Sequence, residues 1–420
     1  MMLKTPVRLV LLATLLGWSG FLLAASVAQA QTAAVRGFVT DASNGEALQG
    51  VNVVVETEAA VLFGAATDSD GLYVVAGLPP GRYVLRASFI GFRTYLDTLQ
   101  LAPRDVRTLN IALEPSEGEL GEVIVEAEQE GRAANLTAGL QTIRPYDNER
   151  VPGPDLSGDF ATYLTTLPGV VTIGDQGGQF YIRGGEPSQN LVLLDGMLVY
   201  QPFHVLSFFS AFPSDILNSV DLYAGGFGAR FGGRISSVID VTTRNGNNQR
   251  FAGAVSVSPF IVGMRLEGPM DEAGKVSLLT SFRQSVIEEG ASRLIDRPVP
   301  FFFNDLFVKM HGVLSRNSRF SLTSLRTYDR GTLGEDTGSG PPDEVRWRNE
   351  AYGARYLFLP GTLPVLAEFM VSFSRLKTNS APATSPSEPP PRLGSIRRRT
   401  SPTIRPSATS SGGCLCGRWN

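Results

Sequence analysis

The chain has 420 residues, of which 43% are hydrophobic and 18% are charged, and its formal net charge is −3. This length accommodates about two or three domains with a sizeable core, and the charge balance excludes the basic footprint that nucleic-acid-binding proteins carry. Both cysteines, Cys414 and Cys416, stand near the C-terminus. The body of the chain therefore holds neither a disulfide framework nor a cysteine-based zinc site.

Residues 1–30 are predicted to be an export signal. Lys4 and Arg8 precede the apolar run LVLLATLLGWSGFLLAASV, and an Ala-Gln-Ala motif places cleavage between Ala30 and Gln31. Because no later stretch has about 18 consecutive apolar residues, no membrane-spanning helix is predicted after it. The chain is thus predicted to be exported, and any membrane span that it forms has to be built from strands closed into a barrel.

Residues 31–115 are predicted to form a β-sandwich. Val51, Val53 and Val55 share one face of a strand, and Asn-Gly, Asp-Gly and Pro-Gly pairs separate the alternating segments. Short strands of this kind with regular turn signals predict a sandwich of about seven strands.

Residues 116–154 are predicted to be a linker, because the composition shifts to acidic and small residues. The segment contains one β-prone island, which consists of Glu122, Val123, Ile124, Val125, Glu126 and Ala127. The residues alone leave two interpretations open. The island is either the last strand of the sandwich or a peptide that adds to the edge of a partner's sheet.

Residues 155–248 are predicted to form a second compact unit that begins with a helix. Phe160, Leu164 and Leu167 have helical spacing, and Pro168-Gly169 ends that helix.

Strands and a second short helix follow in the same unit. The segments QFYIRGG and NLVLLDGMLVY are predicted strands, and Asp195-Gly196 forms a turn in the second of them. Ser214 is predicted to cap a short helix that precedes a further strand.

A glycine-rich stretch near the end of this unit, GGFGARFGG, raises the possibility of a phosphate-binding loop. Such a loop needs a helix after its glycines, but a strand pattern follows here. The glycines are instead predicted to include positions with positive φ, at Gly225, Gly226, Gly232 and Gly233.

Residues 249–378 are predicted to contribute strands in which apolar and polar residues alternate. Two stretches share one apolar face each: Val276, Leu278, Thr280 and Phe282, and Val365, Ala367, Phe369, Val371 and Phe373. Alternating segments of about ten residues are typical of transmembrane barrels, and there is room for about six to eight of them. A soluble sandwich alternates in the same way, but the export signal and the preceding unit favour the barrel.

Two sets of motifs carry a resemblance to known families. The first 80 or so mature residues resemble the carboxypeptidase regulatory-like (transthyretin-like) domain, through Gly37-x-Val39-x-Asp41, Gly50-Val51-x-Val53, Thr67-Asp68-x-x-Gly71-x-Tyr73, Leu78-Pro79-x-Gly81-x-Tyr83 and Gly91-Phe92. The second unit resembles the plug domain of TonB-dependent outer-membrane receptors, through Leu164, Leu167-Pro168-Gly169-Val170, Phe180-x-Ile182-Arg183-Gly184-Gly185, Val192-x-Leu194-Asp195-Gly196, Ile216-x-x-x-Val220 and the stretch from Gly225 to Val241.

The resemblance implies a mainly β fold: a transthyretin-like β-sandwich, an α+β plug domain and the first strands of an incomplete transmembrane β-barrel. It implies a receptor in the outer membrane that takes up an extracellular ligand with energy from the TonB complex of the inner membrane. The island from Glu122 to Ala127 then corresponds to the TonB box. The glycine-rich stretch ends the plug, where tight turns let the backbone pack against the barrel wall.

No catalytic, metal-binding or cofactor-binding residue is predicted. The two histidines, His204 and His311, are far apart in sequence, and neither lies in a zinc-protease or hydrolase motif. His204 is predicted to be a packed or loop histidine, and Asp195 a turn former. Arg183 either binds an anionic ligand or forms a buried ion pair that fixes the plug.

Residues 379–420 are predicted to be an aberrant, disordered tail. From Ser380 onward the sequence has a proline triplet, an arginine triplet and no alternation, which no barrel strand tolerates. The expectation is a reading frame that slips shortly after Lys377, which leaves a truncated fragment unable to transport. The alternative function is an exported, non-transporting binding or adhesion module built on the sandwich.

Overall fold

The structure is a computed structural model that describes residues 32–57, 62–116, 139–145, 147, 151, 159–172, 180–204, 209–288, 301–333, 343–361, 363, 365–382 and 414–418. The predicted export signal, its cleavage site at Ala30-Gln31 and the island from Glu122 to Ala127 lie outside these residues. Within the described part of the chain, no helix is both long and apolar enough to cross a membrane.

The first unit, called the sandwich (residues 32–116), consists of two four-stranded sheets. Its strands are β1 Ala33–Asp41, β2 Asn52–Glu56, β3 Leu62–Ala66, β4 Leu72–Leu78, β5 Gly81–Ser88, β6 Tyr95–Leu101, β7 Val106–Thr108 and β8 Ile111–Leu113. One sheet has the order β3-β2-β5-β6, and in the other β1 pairs with β4, β7 and β8. Val51, Val53 and Val55 are fully buried between the sheets, as their shared face predicts.

The second unit, called the plug (residues 140–247) after the family that it resembles, is built on a five-stranded sheet. Its elements are β9 Leu140–Ile143, α1 Phe160–Thr165, β10 Val170–Thr172, β11 Phe180–Ile182, β12 Asn190–Leu194, β13 Met197–Leu198, β14 Leu217–Tyr223 and β15 Ser237–Thr243. The sheet order is β13-β12-β15-β14-β9, and β10 and β11 form a separate hairpin.

The predicted helix is present and packs its apolar face into the plug core. Phe160 and Leu164 are fully buried, and the helix ends before Pro168-Gly169 as predicted. Asp159 is the N-cap, because its carboxylate accepts a hydrogen bond from Ala161 N at 2.7 Å. Gly169 has φ 84°, and its carbonyl accepts a hydrogen bond from Arg183 N at 2.7 Å.

Two sequence predictions about the plug need correction. Strand β9 lies inside the predicted linker and pairs with β14, so the folded unit begins at Leu140 and not at residue 155. The alternation in LQTI is too short to stand out, and only the partner strand stabilises it. Ser214 does not cap a helix: it is the first residue of a three-residue 3₁₀ turn, so Pro213 occupies the N-cap position and has no side-chain acceptor.

The third unit, called the meander, is an eight-stranded sheet in which each strand pairs with the next. Its strands are β16 Ala252–Val257, β17 Ile261–Pro269, β18 Val276–Ser285, β19 Phe301–Ser315, β20 Ser318–Leu333, β21 Asp343–Phe358, β22 Ala367–Pro382 and β23 Cys414–Arg418. Seven of these strands, β16 to β22, begin within residues 249–378, where the sequence leaves room for about six to eight. The predicted length of about ten residues is too short for β20, β21 and β22, which have 16 residues each. These strands are longer than their apolar stretches because hydrogen bonds between backbones do not require apolar side chains.

The predicted boundary of the tail is also wrong. Strand β22 continues to Pro382. Proline has no backbone N–H, but Pro382 is the last residue of the strand, so no later pairing is interrupted. Cys414–Arg418 pairs with β22 between Met370 and Ser374. The slip of the reading frame after Lys377 stays a prediction.

The two faces of the meander differ in polarity, as predicted. In β18 every second residue is buried toward the plug, including Ser277, Ser281 and Arg283, while Leu278 and Phe282 lie on the opposite, partly exposed face. In β22 the outer face carries Phe369, Val371 and Phe373, which are 49%, 57% and 39% exposed. Polar-in and apolar-out alternation is thus a property of the folded sheet.

The connections of the meander lie at two ends. At one end, called the short-turn end, residues 270–275, 316–317 and 359–366 join the strands. At the other end residues 258–260, 286–300 and 334–342 do so. The sandwich lies against the short-turn end, because Asn110 Nδ2 donates to Arg316 O at 3.0 Å and Arg36 donates to Val365 O at 3.2 Å.

Candidate functional site

The plug rests on the inner face of β19, β20 and β21, which is built in layers across the three strands. Phe307, Leu325 and Ala351 pair side by side in register and are almost fully buried. They belong to the same hydrophobic cluster as the plug core, including Leu194 and Met197. This apolar layer is the floor on which the plug packs.

A buried ionic cluster lies on the side of the apolar layer away from the short-turn end. His204 of the plug lies between two aspartates of the meander, with Nδ1 2.7 Å from Asp329 Oδ1 and Nε2 3.1 Å from Asp305 Oδ2. The imidazole also stacks on the ring of Phe303, with 3.8 Å between ring centroids. The histidine and both aspartates have side chains that are 1% exposed.

Arg283 extends this cluster to a second point on the plug. Its Nη2 lies 2.9 Å from Asp305 Oδ2 and also donates to the carbonyl of Ser210, while its Nη1 lies 3.6 Å from Asp159 Oδ2. Asp159 therefore caps helix α1, accepts from Ser210 N at 3.0 Å and faces the arginine. The set of Asp159, His204, Ser210, Arg283, Asp305 and Asp329 is called the histidine cluster.

Electrostatics make His204 a cation in this cluster. Burial by itself lowers the pKa of His204, but the adjacent carboxylates of Asp305 and Asp329 outweigh burial and raise it to about 9. The charge is compensated within the cluster, which contains three carboxylates and Arg283.

The predicted packing of His204 is confirmed, but its ionic role was not predicted. Its partners Asp305 and Asp329 are 101 and 125 residues away in sequence, and no local pattern marks them. The sequence signal for this ionic role is an aspartate at an inward position of a β-strand, because a buried carboxylate requires a partner.

A second buried cluster lies on the other side of the apolar layer. Asp195 Oδ2 accepts from Lys309 Nζ at 3.1 Å, from Thr243 Oγ1 at 2.6 Å and from Thr323 Oγ1 at 3.1 Å. Lys309 Nζ also donates to Thr243 O and to Thr243 Oγ1, both at 2.9 Å. Asp195, Thr243, Lys309 and Thr323 are called the lysine cluster, which joins the plug to β19 and β20.

Asp195 and Gly196 form the predicted turn between β12 and β13, with φ values of 47° and 80°. The turn places the Asp195 carboxylate beneath β15, where Thr243 N donates to Oδ1 at 2.8 Å. The turn prediction is confirmed, and the tertiary structure adds the contact with Lys309.

Arg183 does not form the buried ion pair that was one of its two predicted roles. Its side chain is exposed, and no carboxylate lies at ion-pair distance from it among the described residues. Its backbone has φ 49°, next to Gly184 at 79°. Gly185 packs tightly against Ser236, because an added Cβ would lie 2.0 Å from Ser236 Oγ. The Arg-Gly-Gly motif therefore shapes a turn.

The glycine-rich stretch has positive φ at three of its four predicted positions. Gly225, Gly226 and Gly233 have φ of 139°, 69° and 82°, and Gly232 does not share this feature. Among the described residues, an added Cβ at Gly232 or Gly233 meets no atom within 4 Å, whereas one at Gly225 would lie 3.6 Å from Arg183 Nη1. Positive φ is the feature that favours glycine at Gly225, Gly226 and Gly233.

The sandwich joins both other units through ion pairs. Asp70 and Arg355 form a bidentate pair, with two N–O distances of 2.7 Å. Arg244 of the plug lies 2.6 Å from Glu267 of the meander and 3.4 Å from Glu46 of the sandwich. The three units thus meet at the short-turn end.

Among the residues that the structure describes, no group of three or more His, Cys, Asp or Glu side chains is arranged to hold a metal ion. The histidine cluster instead satisfies its charges with Arg283 and with the imidazole itself.

Two family models and one curated relative match this chain. The family model of the carboxypeptidase regulatory-like domain matches residues 34–114, and that of the TonB-dependent receptor plug domain matches residues 140–238. The TonB-dependent transporter Oar of Myxococcus xanthus is 29% identical over 243 residues, which are 56% of this chain and 22% of that protein. The chain thus spans less than a quarter of the length of this curated relative.

Two solved structures are among those to which this chain is similar. The siderophore receptor PirA from Pseudomonas aeruginosa has 17% sequence identity and a TM-score of 0.41, over 58% of this chain and 41% of that one. The ferric yersiniabactin uptake receptor FyuA from Yersinia pestis has 13% identity and a TM-score of 0.45, over 60% and 43% of the two chains.

Proposed function

We propose that this chain, which belongs to the TonB-dependent receptor family by its plug and its carboxypeptidase regulatory-like domain, serves energy-coupled uptake of an extracellular ligand across the outer membrane. The meander contributes barrel wall in contact with outer-membrane lipid, and the plug closes the lumen on its inner side. The partner is the TonB complex of the inner membrane, and the island from Glu122 to Ala127 is its binding segment.

One observation carries the proposal: the plug is held by buried polar clusters on the inner face of a sheet whose outer face exposes apolar side chains. The inner face supplies Asp305, Asp329 and Lys309 to the plug, while Phe369 and Val371 point outward. A soluble sandwich would bury its apolar face, whereas a barrel wall with a filled lumen buries its polar face.

The buried clusters suit a plug that has to be released and returned. Buried ion pairs contribute little net stability compared with apolar packing, but they define one position. The histidine cluster is also incompletely satisfied, since Asp305 Oδ1 has no hydrogen-bond donor within the described residues. Such contacts specify the position of the plug on the sheet, and the free energy needed to separate the plug from the sheet is modest.

The position of the island fits a pull on the plug. It lies in residues 117–138, between the end of the sandwich and β9. β9 is the edge strand of the plug sheet and pairs with β14 through four residues. Work has to reach the outer membrane through a physical link, because that membrane has no ion gradient or ATP of its own. We infer that tension on the island acts first on β9.

The location of the protein in its own cells and its electrophoretic mobility distinguish the proposed receptor from the alternative, an exported binding or adhesion module. We expect an antibody against the sandwich to detect the protein in outer-membrane fractions, with an electrophoretic mobility that changes on heating. A closed barrel resists unfolding in detergent until it is heated. Recovery in the soluble periplasmic or secreted fraction, with the same mobility before and after heating, would overturn the receptor and favour the binding module.

A further inference from the structure

The outer face of the meander changes from apolar to charged along one line across β20, β21 and β22. Between this line and the short-turn end lies a set of exposed apolar side chains, called the apolar band: Leu322, Tyr352, Phe358, Phe369, Val371 and Phe373. The first charged residues beyond the band are Arg326, Glu350 and Arg375, which stand side by side in register. The apolar band therefore ends at the same level on all three strands.

Beyond this line the outer face is mainly basic. Its cations, called the basic patch, are Arg326, Arg330, Arg346, Arg348, Arg375 and Lys377. In two places the strand register puts cations directly opposite each other, Arg330 with Arg346 and Arg348 with Lys377. Like charges in this position destabilise a sheet, so the basic patch requires counter-charges.

Glutamates of the chain neutralise one half of the basic patch and leave the other half without an ion pair. The pairs are Glu288 with Arg330 at 2.6 Å, Glu344 with Arg346 at 2.7 Å and Glu350 with Arg326 at 3.5 Å. Arg348, Arg375 and Lys377 have no carboxylate at ion-pair distance among the described residues, although Glu350 stands opposite Arg375 in register. These three cations lie together, because Lys377 is opposite Arg348 and two residues from Arg375 on the same face.

Aromatic rings belong to the same region of the outer face. The guanidinium of Arg348 lies 5.8 Å from the ring centroid of Tyr328, and that of Arg330 lies 5.8 Å from the ring centroid of Phe302. Aromatic side chains at the edge of an apolar band are typical of the boundary between lipid tails and head groups. Because the meander is proposed to be barrel wall, the basic patch lies at the level of the head groups.

We propose that the basic patch binds the phosphate head group of an anionic lipid through Arg348, Arg375 and Lys377. This site rests on the proposed function, which places lipid against the apolar band. One lipid molecule satisfies both parts of the outer face, because its tails cover the apolar band and its phosphate neutralises the three cations. A free phosphate would leave the apolar band uncovered, so the continuity of band and patch favours the lipid.

The test uses the full chain refolded in detergent and measures bound lipid by native mass spectrometry. Phosphatidic acid and phosphatidylcholine with the same acyl chains are titrated separately. We expect phosphatidic acid to bind at least about tenfold more tightly, because only its head group has a net negative charge for the three cations. Equal binding of the two lipids, or displacement of phosphatidic acid by an equal concentration of ammonium phosphate, would overturn the lipid site.

Two substitutions with the same change in net charge locate the binding. Lys377→Gln removes one cation of the basic patch and should weaken the binding of phosphatidic acid about tenfold. Arg82→Gln removes an exposed cation of the sandwich and should leave this binding unchanged. Both side chains are exposed, so we expect both variants to fold. Equal affinities of the two variants for phosphatidic acid would overturn the assignment to the basic patch.

Flotation with vesicles separates failure of this site from failure of the proposed function. Vesicles of phosphatidylcholine alone test whether the chain enters a bilayer without any anionic lipid. A chain that floats with these vesicles but binds both lipids equally in detergent would overturn the lipid site alone. A chain that does not float, with or without phosphatidic acid in the vesicles, would overturn the barrel wall and the lipid site with it.

Discussion

Nδ1 of His204 lies 2.7 Å from Oδ1 of Asp329, so a loop of the plug and an inward position of β20 meet across 125 residues of chain. With Asp305 on its other nitrogen, the imidazole has a carboxylate at each end. A protonated ring can donate to both carboxylates at once, and a neutral ring can donate only to one. The contact between plug and meander therefore depends on a proton.

The histidine cluster predicts a pH dependence of stability. The pKa of His204 is raised from 6.5 to about 9 in the folded chain, so its contribution is fully present below pH 6.5 and is lost as the pH rises through 9. The magnitude is on the order of 3 kcal/mol. We expect the free energy of unfolding in detergent to fall across this window in the wild-type chain and to lose most of that slope in His204→Gln. An unchanged slope in the variant would contradict the assignment.

The lysine cluster predicts a large effect of one neutralising substitution. Asp195→Asn keeps a residue that tolerates positive φ but leaves Lys309 buried without its counter-charge, so we expect a loss of about 3–5 kcal/mol in the free energy of unfolding. The double variant with Lys309→Met should recover part of this loss. Glu56→Gln, in an exposed pair with Arg86, is the control and should cost less than about 1 kcal/mol. If Asp195→Asn and Glu56→Gln lower the free energy of unfolding by the same amount, the role of the lysine cluster is refuted.

Two adjacent glycines test the importance of backbone conformation in the glycine-rich stretch. Gly232 and Gly233 both face open space, but only Gly233 has a positive φ, of 82°. Gly233→Ala should therefore destabilise the plug by about 1–2 kcal/mol, and Gly232→Ala should stay within about 0.5 kcal/mol of the wild type. Denaturant unfolding of the two variants measures the difference. The explanation fails if both variants behave alike.

The proposed TonB-binding segment predicts a site-specific loss of partner binding. Val123→Pro removes a backbone donor in the middle of the island, so a strand lent to TonB should lose a ladder hydrogen bond. We expect a purified C-terminal domain of TonB to bind the wild-type chain and to bind this variant at least about tenfold more weakly. Ala133→Pro, outside the island in the same segment, is the matched control. Undiminished binding by Val123→Pro would place the segment elsewhere.

The elements of the fold could be predicted where the pattern is local. Val51, Val53 and Val55 identify a sandwich strand because side chains of a strand alternate between two faces. Phe160 and Leu164 identify the helix by its period, and Asp195-Gly196 identifies a turn by its tolerance of positive φ. The alternation along β18 and β22 predicts the two faces of the meander, because period two does not depend on which strands pair.

The candidate site could not be predicted in the same way, because its contacts join positions that are distant in the chain. The sequence identifies Asp305 and Asp329 only as inward residues of strands. The register of the strands and the position of the plug on the sheet bring both carboxylates to His204. The same applies to β9, whose four residues become a strand only against β14. Periodicity determines which side of an element a residue occupies. Only the tertiary structure decides which polar groups share a buried space, since their charges are tolerated there only in combination.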